Sequence, residues 1–305
     1  MTQSHNSQER GHFGPRDWTS AQDDSPLVEE IKKVPLSKLG TVFAIRRGFS
    51  NWWVPVLLLA IESYLHISRP ITWRSRSRIT FTTLRDGSSF PVREIFLHDE
   101  YRLESLTPAP KSIVDIGANV GVFTLRAAQL FPGVRISAFE PSPVAYEQLV
   151  QNVRANPALS KIDTHRLAVL GSSDVHEVRF WIDATGSPCS TLIETAVRDR
   201  EAGRWEKVPA ASLGSILRST GAVDLLKLDV EGAEYEILGE TSPSALAWVD
   251  RIVVEYHPIK GHDFTEIVDS LAAAGFRLVL HRYFMELADT GLLWFDRGSS
   301  RAISR

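Results

Sequence analysis

From Lys111 onward, short β-branched runs alternate with amphipathic segments, and this alternation narrows the available folds more than any other feature. "KSIVDI" leads through a glycine turn to a helical segment ending at Leu130, and "VRISAFE" leads to one from about Ser142 to Asn156. "THRLAVL", "VDLLKLDV" and "RIVVEYH" read as the third, fourth and fifth strands. "FRLVLH" and "GLLWFD" close the series after a helix around Thr265 to Ala274. Strands alternating with helices imply a mostly parallel sheet with helices on both faces. In such sheets ligands bind outside the carboxyl ends of the strands, so motifs at those ends carry the most weight.

The rest of the chain is organised around this unit. Residues 1–25 are polar and aperiodic and read as a flexible tail; residues 26–109 read as a small N-terminal cap, 110–298 as the main domain and 299–305 as a short tail. Within the cap, helical patterning runs from Pro26 to Pro70, and "RSRITFTTLRDGSSFPVREI" alternates around Asp86-Gly87, a β-hairpin turn signal. A length of 305 residues with 43% hydrophobic content suits one α/β domain and an appendage. The net charge of −3 gives no basic excess, so nucleic acid is not expected as a partner. Cys189 is the one cysteine, which rules out an internal disulfide and a cysteine-built zinc site and fits a reducing cytoplasm. Oligomeric state is left open.

The segment "IRRGFSNWWVPVLLLAIESYL" resembles an anchor on the surface. Its apolar run, Trp52 to Ile61, is about half the ~20 residues needed to span a bilayer. It also holds Pro55 and stops at Glu62. Stable membrane insertion is therefore not expected. A helix buried against the main domain is favoured over peripheral membrane contact through Trp52 and Trp53 and over a twin-arginine export signal.

At the first strand end, "VDIGANVG" presents Asp115, Gly117, Asn119 and Gly121. The two glycines let the backbone turn sharply and approach a ligand, and Asn119 tolerates unusual backbone angles or caps the following helix. A dinucleotide would want G-x-G-x-x-G spacing and a diphosphate on the helix N-terminus, where the Asp115 carboxylate would repel it. S-adenosylmethionine brings an ammonium, a sulfonium and a ribose, so a carboxylate beside the turn matches it in sign. Glu140, at the tip of the second strand, is placed to accept both hydroxyls of a ribose. A tight turn that binds nothing is the bland alternative.

The fourth strand continues as "DLLKLDVEGAEYEIL". Asp229 emerges at its carboxyl end, where cofactor and substrate would meet, and also counts among the cofactor-binding candidates. Glu234 reads first as charge complementarity at a helix N-terminus. Alternation puts Lys227 on the face of Asp229, where an ion pair with a nearby carboxylate explains a cation inside an apolar strand.

"VDIGANVGVFTLRAA", "AFEPSP", "LLKLDVEGAEYEIL" and "VVEYHP", in that order, resemble the FkbM family of S-adenosylmethionine-dependent methyltransferases. The resemblance runs from about Asp86 to Asp296, with D-x-E-G-A-E as its most specific element. It implies a class I methyltransferase fold, Rossmann-like, with a seven-stranded sheet whose last strand is antiparallel. It also implies methylation of oxygen, commonly a hydroxyl of a polyketide, sugar or glycan precursor. The cofactor loop would be Asp115 to Gly121, the ribose acid Glu140 and the strand-four acid Asp229. Gly214 stands where relatives often carry an aspartate, and the first 80 residues match weakly.

Transfer to a protonated aliphatic hydroxyl benefits from a general base or a metal. Strand alternation puts Glu255 and His257 on one face at the rim shared with Asp229, so His257 is the candidate base and Glu255 its orienting partner or a substrate acceptor. A divalent ion such as magnesium on Asp229, Glu255 and His257 is less favoured, and no metal site is assigned. "DATGSPCSTLIETAVRDREAGRWEK" reads as a lid, a substrate wall or a solvated loop, with Ser190, Thr191 and Trp205 as candidate contacts and Cys189 as an inert thiol. The resulting expectation is a small-molecule O-methyltransferase. The rivals are a non-catalytic S-adenosylmethionine-binding or membrane-edge protein, and an NAD-dependent oxidoreductase. Asp115 argues against the last.

Overall fold

In the computed structural model the chain is described over residues 27–31, 38–65, 69–84, 90–159, 161–171, 174–183, 203–284 and 290–298. In chain order the elements are β1 (Leu27–Ile31), α1 (Lys38–Gly48), α2 (Trp53–Leu65), β2 (Ile71–Arg74) and β3 (Thr80–Thr83). Next come α3 (Phe90–Val92), which runs on as a π-helical turn to Leu97, then β4 (Ser112–Ile116), α4 (Val122–Leu130), β5 (Arg135–Phe139) and α5 (Pro143–Arg154). β6 (Ile162–His165), β7 (Ala168–Leu170), β8 (Glu177–Asp183), β9 (Gly203–Ser212), α6 (Leu213–Thr220) and β10 (Leu225–Leu228) continue the chain. It ends with α7 (Glu234–Glu240), α8 (Pro243–Leu246), β11 (Arg251–Tyr256), α9 (Phe264–Ala273), β12 (Arg277–Phe284) and β13 (Thr290–Asp296).

The main sheet has the order β1-β12-β13-β11-β10-β4-β5-β6, parallel except for β13, which runs antiparallel between β11 and β12. The seven strands from β12 to β6 are the expected class I methyltransferase sheet with its antiparallel last strand. β4 and β10 are buried along their whole length, as apolar strands covered on both faces must be. Strand order reverses between β4 and β10, so their carboxyl ends flank the crevice where the glycine turn and Asp229 emerge.

Three expectations need correction. The stretch after Pro26 begins as a strand, because β1 adds an eighth, parallel member at the β12 edge. The cap hairpin joins β2 to β3 through Ser75–Ile79, whereas Asp86-Gly87 lies outside the described residues and the chain beyond it is helical. The third strand breaks after His165, and its second half pairs with β9 in a small separate sheet of order β7-β9-β8. The tails at 1–25 and 299–305, and Cys189, Ser190 and Thr191, also lie outside the described residues.

The cap is joined to the main domain by side chains that imitate a strand edge. Asn152 of α5 accepts from Thr82 N (2.8 Å) and donates to Thr82 O (2.9 Å). One turn on, just past the helix end, Asn156 does the same for Thr80 (2.9 and 2.6 Å). The i, i+4 spacing sets the two amides on one side of the helix, and β3 thereby satisfies an otherwise open backbone edge. Asn152 also donates to Val120 O in the glycine loop at 2.7 Å. Asn152→Ala, which removes these three bonds at a buried position, is expected to lower unfolding free energy by about 2–4 kcal/mol, measured by urea denaturation.

Candidate active site

The glycine turn begins where β4 ends. Gly117 has φ +75°, and a Cβ there would lie 1.7 Å from Asp229 O, so the neighbouring strand end admits no side chain at this position. Asn119 adopts φ +50°, in the left-handed region that asparagine tolerates, and its side chain accepts from Val120 N. Gly121, at φ +87°, is the residue immediately before α4.

An open cleft of about 650 Å³, including its solvent-facing mouth, lies over this turn. Gly117, Asn119, Phe139, Glu140, Asp229 and Glu231 line it. Glu140 accepts from Asn119 N and Ser142 N, both at 2.8 Å, which aims its remaining lone pairs into the cleft. Burial pushes its carboxyl up to about 7 against the pull of those two N–H groups. A desolvated carboxylate of this kind gains from further donors, and a pair of ribose hydroxyls would supply them. The residues present therefore fit the nucleoside part of S-adenosylmethionine.

Asp115 plays a different part from the one expected. Its side chain is fully buried beneath the turn, where Oδ2 accepts from Thr124 Oγ1 at 2.5 Å and Oδ1 faces Lys227 Nζ at 3.3 Å. With no face open to solvent, it supports the turn from below in this structure. Lys227 answers the expectation of an ion pair twice over, since its Nζ also lies 3.2 Å from Asp229 Oδ2 and donates to Gly117 O at 2.7 Å. Burial works against the lysine charge, yet Asp229 and Asp115 outweigh it and raise the pKa above its ordinary value. One cation thus ties the β4 end, the turn and the β10 end together.

Beyond Asp229 the cleft meets a second cluster. His257, one residue past β11, sets Nδ1 3.0 Å from Glu234 Oε1, and that oxygen also accepts from Val230 N. Glu234 thus occupies Nδ1, which leaves Nε2 as the ring nitrogen facing outward. Nε2 lies 3.8 Å from Glu231 Oε2. Burial lowers the imidazole pKa, but Glu234 and Glu231 more than reverse this and hold it well above the ordinary histidine value. The orienting partner of His257 is therefore Glu234, which is fully buried, in place of Glu255. Glu255 is engaged by Tyr101, whose hydroxyl donates to it at 2.5 Å and lies 3.5 Å from Asp229. Burial, with the charge of Asp229, pushes the Glu255 carboxyl upward.

Sequence reasoning brought Asp229, Glu255 and His257 to one rim, and they are there. It missed Glu231 as a member and Tyr101 altogether. Glu231 reaches the cluster through a left-handed backbone at φ +54°, followed by Gly232 at +107°. The D-x-E-G spacing was the available signal for that turn. Tyr101 comes from the segment before the main domain, between two left-handed residues, Asp99 and Arg102, with Arg282 holding Glu100 O at 2.8 Å. Among the described residues, Asp229, Glu231 and His257 could bring three ligand atoms within 4.8 Å of one another around a metal ion. Trp205 lies in β9, packed edge-on to Trp181 in the small sheet.

A crevice at the strand-order reversal, a glycine turn under it and a ribose-type carboxylate beside it define a nucleoside-binding α/β enzyme of the methyltransferase type. Comparison with known proteins gives the family: residues 115–278 match the methyltransferase FkbM domain, and the chain belongs to that family. It is thus a methyltransferase, with S-adenosylmethionine as donor. The chain is 32% identical over 195 residues to the methyltransferase sdnD of Sordaria araneosa, covering 55% of this chain and 74% of the relative. It is 27% identical over 218 residues to the 31-O-demethyl-FK506 methyltransferase FkbM of Streptomyces tacrolimicus, covering 63% and 83%. Among solved structures, an O-methyltransferase family protein from Burkholderia thailandensis aligns at TM-score 0.41 and 11% identity, covering 70% of this chain and 59% of that one.

Two outcomes are expected. Lys227→Met leaves Asp115 and Asp229 without their shared cation and should cost about 3–5 kcal/mol of stability in denaturant melts. S-adenosylhomocysteine affinity, measured by calorimetry, should be full above pH 7. It should decline as pH falls through the Glu140 pKa of about 7, because ribose donors favour the ionised carboxylate. Glu140→Gln should flatten that dependence.

Proposed function

We propose that this methyltransferase acts on oxygen, at a hydroxyl of a small molecule such as a polyketide, sugar or glycan precursor, with His257 as general base. The observation that carries the reading is the imidazole locked through Nδ1 by a fully buried Glu234, which leaves Nε2 facing the rim shared with Asp229 and Glu231. The relative whose name specifies 31-O-demethyl-FK506 as substrate supports an oxygen acceptor.

S-adenosylmethionine, when bound, supplies an electrophilic methyl group on a sulfonium. The chain's own residues do the rest. Glu140 holds the ribose, and the Gly117 turn lets the backbone approach the ligand. Asp229, held by Lys227, stands at the meeting point of cofactor and acceptor. An acceptor hydroxyl seated against Nε2 would give up its proton to that nitrogen as its oxygen takes the methyl and the carbon–sulfur bond breaks to release S-adenosylhomocysteine, and the imidazolium formed would lie between Glu234 and Glu231. Those two carboxylates make the base strong. They also keep it protonated at lower pH, so turnover should rise with pH through the His257 pKa. A cationic sulfonium in the cleft works the other way. Tyr101 donates to Glu255, so that carboxylate is already engaged beside Asp229. The reading needs no metal.

His257→Ala should lower kcat on the order of 10²–10⁴-fold with cofactor affinity intact. Glu231→Gln removes one of the charges that raise the pKa, so the rising limb of kcat/KM should move to lower pH. A limb that stays in place in this variant would remove His257 from the base role. Activity lost on chelation and restored by magnesium would transfer that role to an ion.

A further inference from the structure

Helix α2 is apolar on faces that cannot all be buried. Its sequence, WVPVLLLAIESYL, carries one charge, Glu62. One side packs inward: Val56, Leu58 and Leu59 lie against the main hydrophobic core, as does Trp52 just before the helix. That is the packing against the main domain expected of this segment, but the other side is not covered. Trp53, Leu57 and Tyr64, at i, i+4 and i+11, form a stripe on the opposite face and are 60, 53 and 72% exposed. Phe43, on the preceding helix α1, is also 60% exposed. A surface helix of a soluble domain normally turns polar residues outward, and scattered exposed leucines need no explanation, but an aromatic and aliphatic stripe on one helix does.

The charge around this stripe is as uneven as its hydrophobicity. Residues 38–84 hold seven basic side chains against one acidic, in a chain whose net charge is −3. Arg46, Arg47, Arg74, Arg76 and Arg78 are all exposed. They gather at the N-terminal end of α2, because the β2–β3 turn docks on the junction between the two helices. Arg76 donates to Arg46 O at 3.0 Å, Ser50 N donates to Arg74 O at 2.7 Å, and the Arg46 guanidinium sits 5.6 Å over the Trp52 ring. Trp53 therefore leads an apolar stripe out of a basic collar.

We infer that the α1–α2 hairpin is a docking surface for an anionic lipid bilayer, with Trp53, Leu57 and Tyr64 in the interface and the arginine collar on the headgroups. Among the described residues no helix is long and apolar enough to cross a membrane. At ~1.5 Å per residue α2 reaches about 20 Å, against a hydrocarbon core of about 30 Å, so the helix lies in the interface plane. A basic collar distinguishes this occupant from a second copy of the chain, whose own hairpin would bring the same positive charge face to face.

The test is co-sedimentation of the full-length protein with vesicles of phosphatidylcholine alone or mixed with phosphatidylserine. Binding is expected to the mixed vesicles and to weaken with salt. Trp53→Glu combined with Leu57→Glu should lower partitioning by roughly tenfold or more. Arg47→Ala and Arg78→Ala should each lower it about fivefold. Thermal shift with S-adenosylhomocysteine should be unchanged in all of them, which confirms the fold. Equal recovery with and without phosphatidylserine would overturn the proposal. So would a dimer, seen by light scattering without lipid, that the glutamate variant breaks, or vesicle binding that arises only after residues 1–26 are deleted.

Discussion

A single buried ammonium holds the functional end of the sheet together. Lys227 sits in the middle of an apolar strand between two carboxylates and a carbonyl, all within 3.3 Å. Removing such a charge from water is expensive, and only the full set of partners offsets the cost. The partners come from the β4 end, the glycine turn and the β10 end. The register of β4 against β10 and the path of the turn are therefore set by one electrostatic requirement. The cleft inherits its shape from that arrangement, since Asp229 can face it only while its other side is held by the lysine.

Much of the fold was legible because the strands of a doubly covered parallel sheet read as unbroken apolar runs. "DLLKL", "RIVVEY" and "GLLWFD" could be placed in order from that property alone. Elements with weaker patterns were not. β1 is five residues of mixed character whose partner, β12, lies some 250 positions on, and nothing local marks the pairing. The hairpin turn was misplaced because Asp86-Gly87 carries a stronger turn signature than Ser75–Ile79, while the alternation on both sides fits either.

The candidate site divides in the same way. Residues delivered by strand ends, namely Gly117, Glu140, Asp229, Glu255 and His257, follow from strand order and alternation. Their pairings do not. The acids of "DVEGAE" are close in sequence, yet Glu231 and Glu234 contact the same imidazole from beyond the end of a different strand, and only the left-handed turn at Glu231 makes this possible. Asp115 was read by its charge as facing a ligand. The charge is spent inward, because a carboxylate one residue before the end of a fully buried strand meets the neighbouring strand's lysine before it meets the cleft. Tyr101 reaches Asp229 across 128 positions, a distance that no local pattern spans.

The amide ladder from Asn152 and Asn156 limits how this architecture can be recombined. The cap contributes Tyr101 to the cluster around Asp229 and Glu255, so it is a natural part to exchange between relatives. Yet the edge of its hairpin is completed by two side chains at the end of α5, well inside the other domain, and one of them also grips the glycine turn. A chimera cut at the boundary suggested by the sequence would carry β3 away from its amides and leave four backbone groups without partners. The unit that can be transplanted is the cap together with α5.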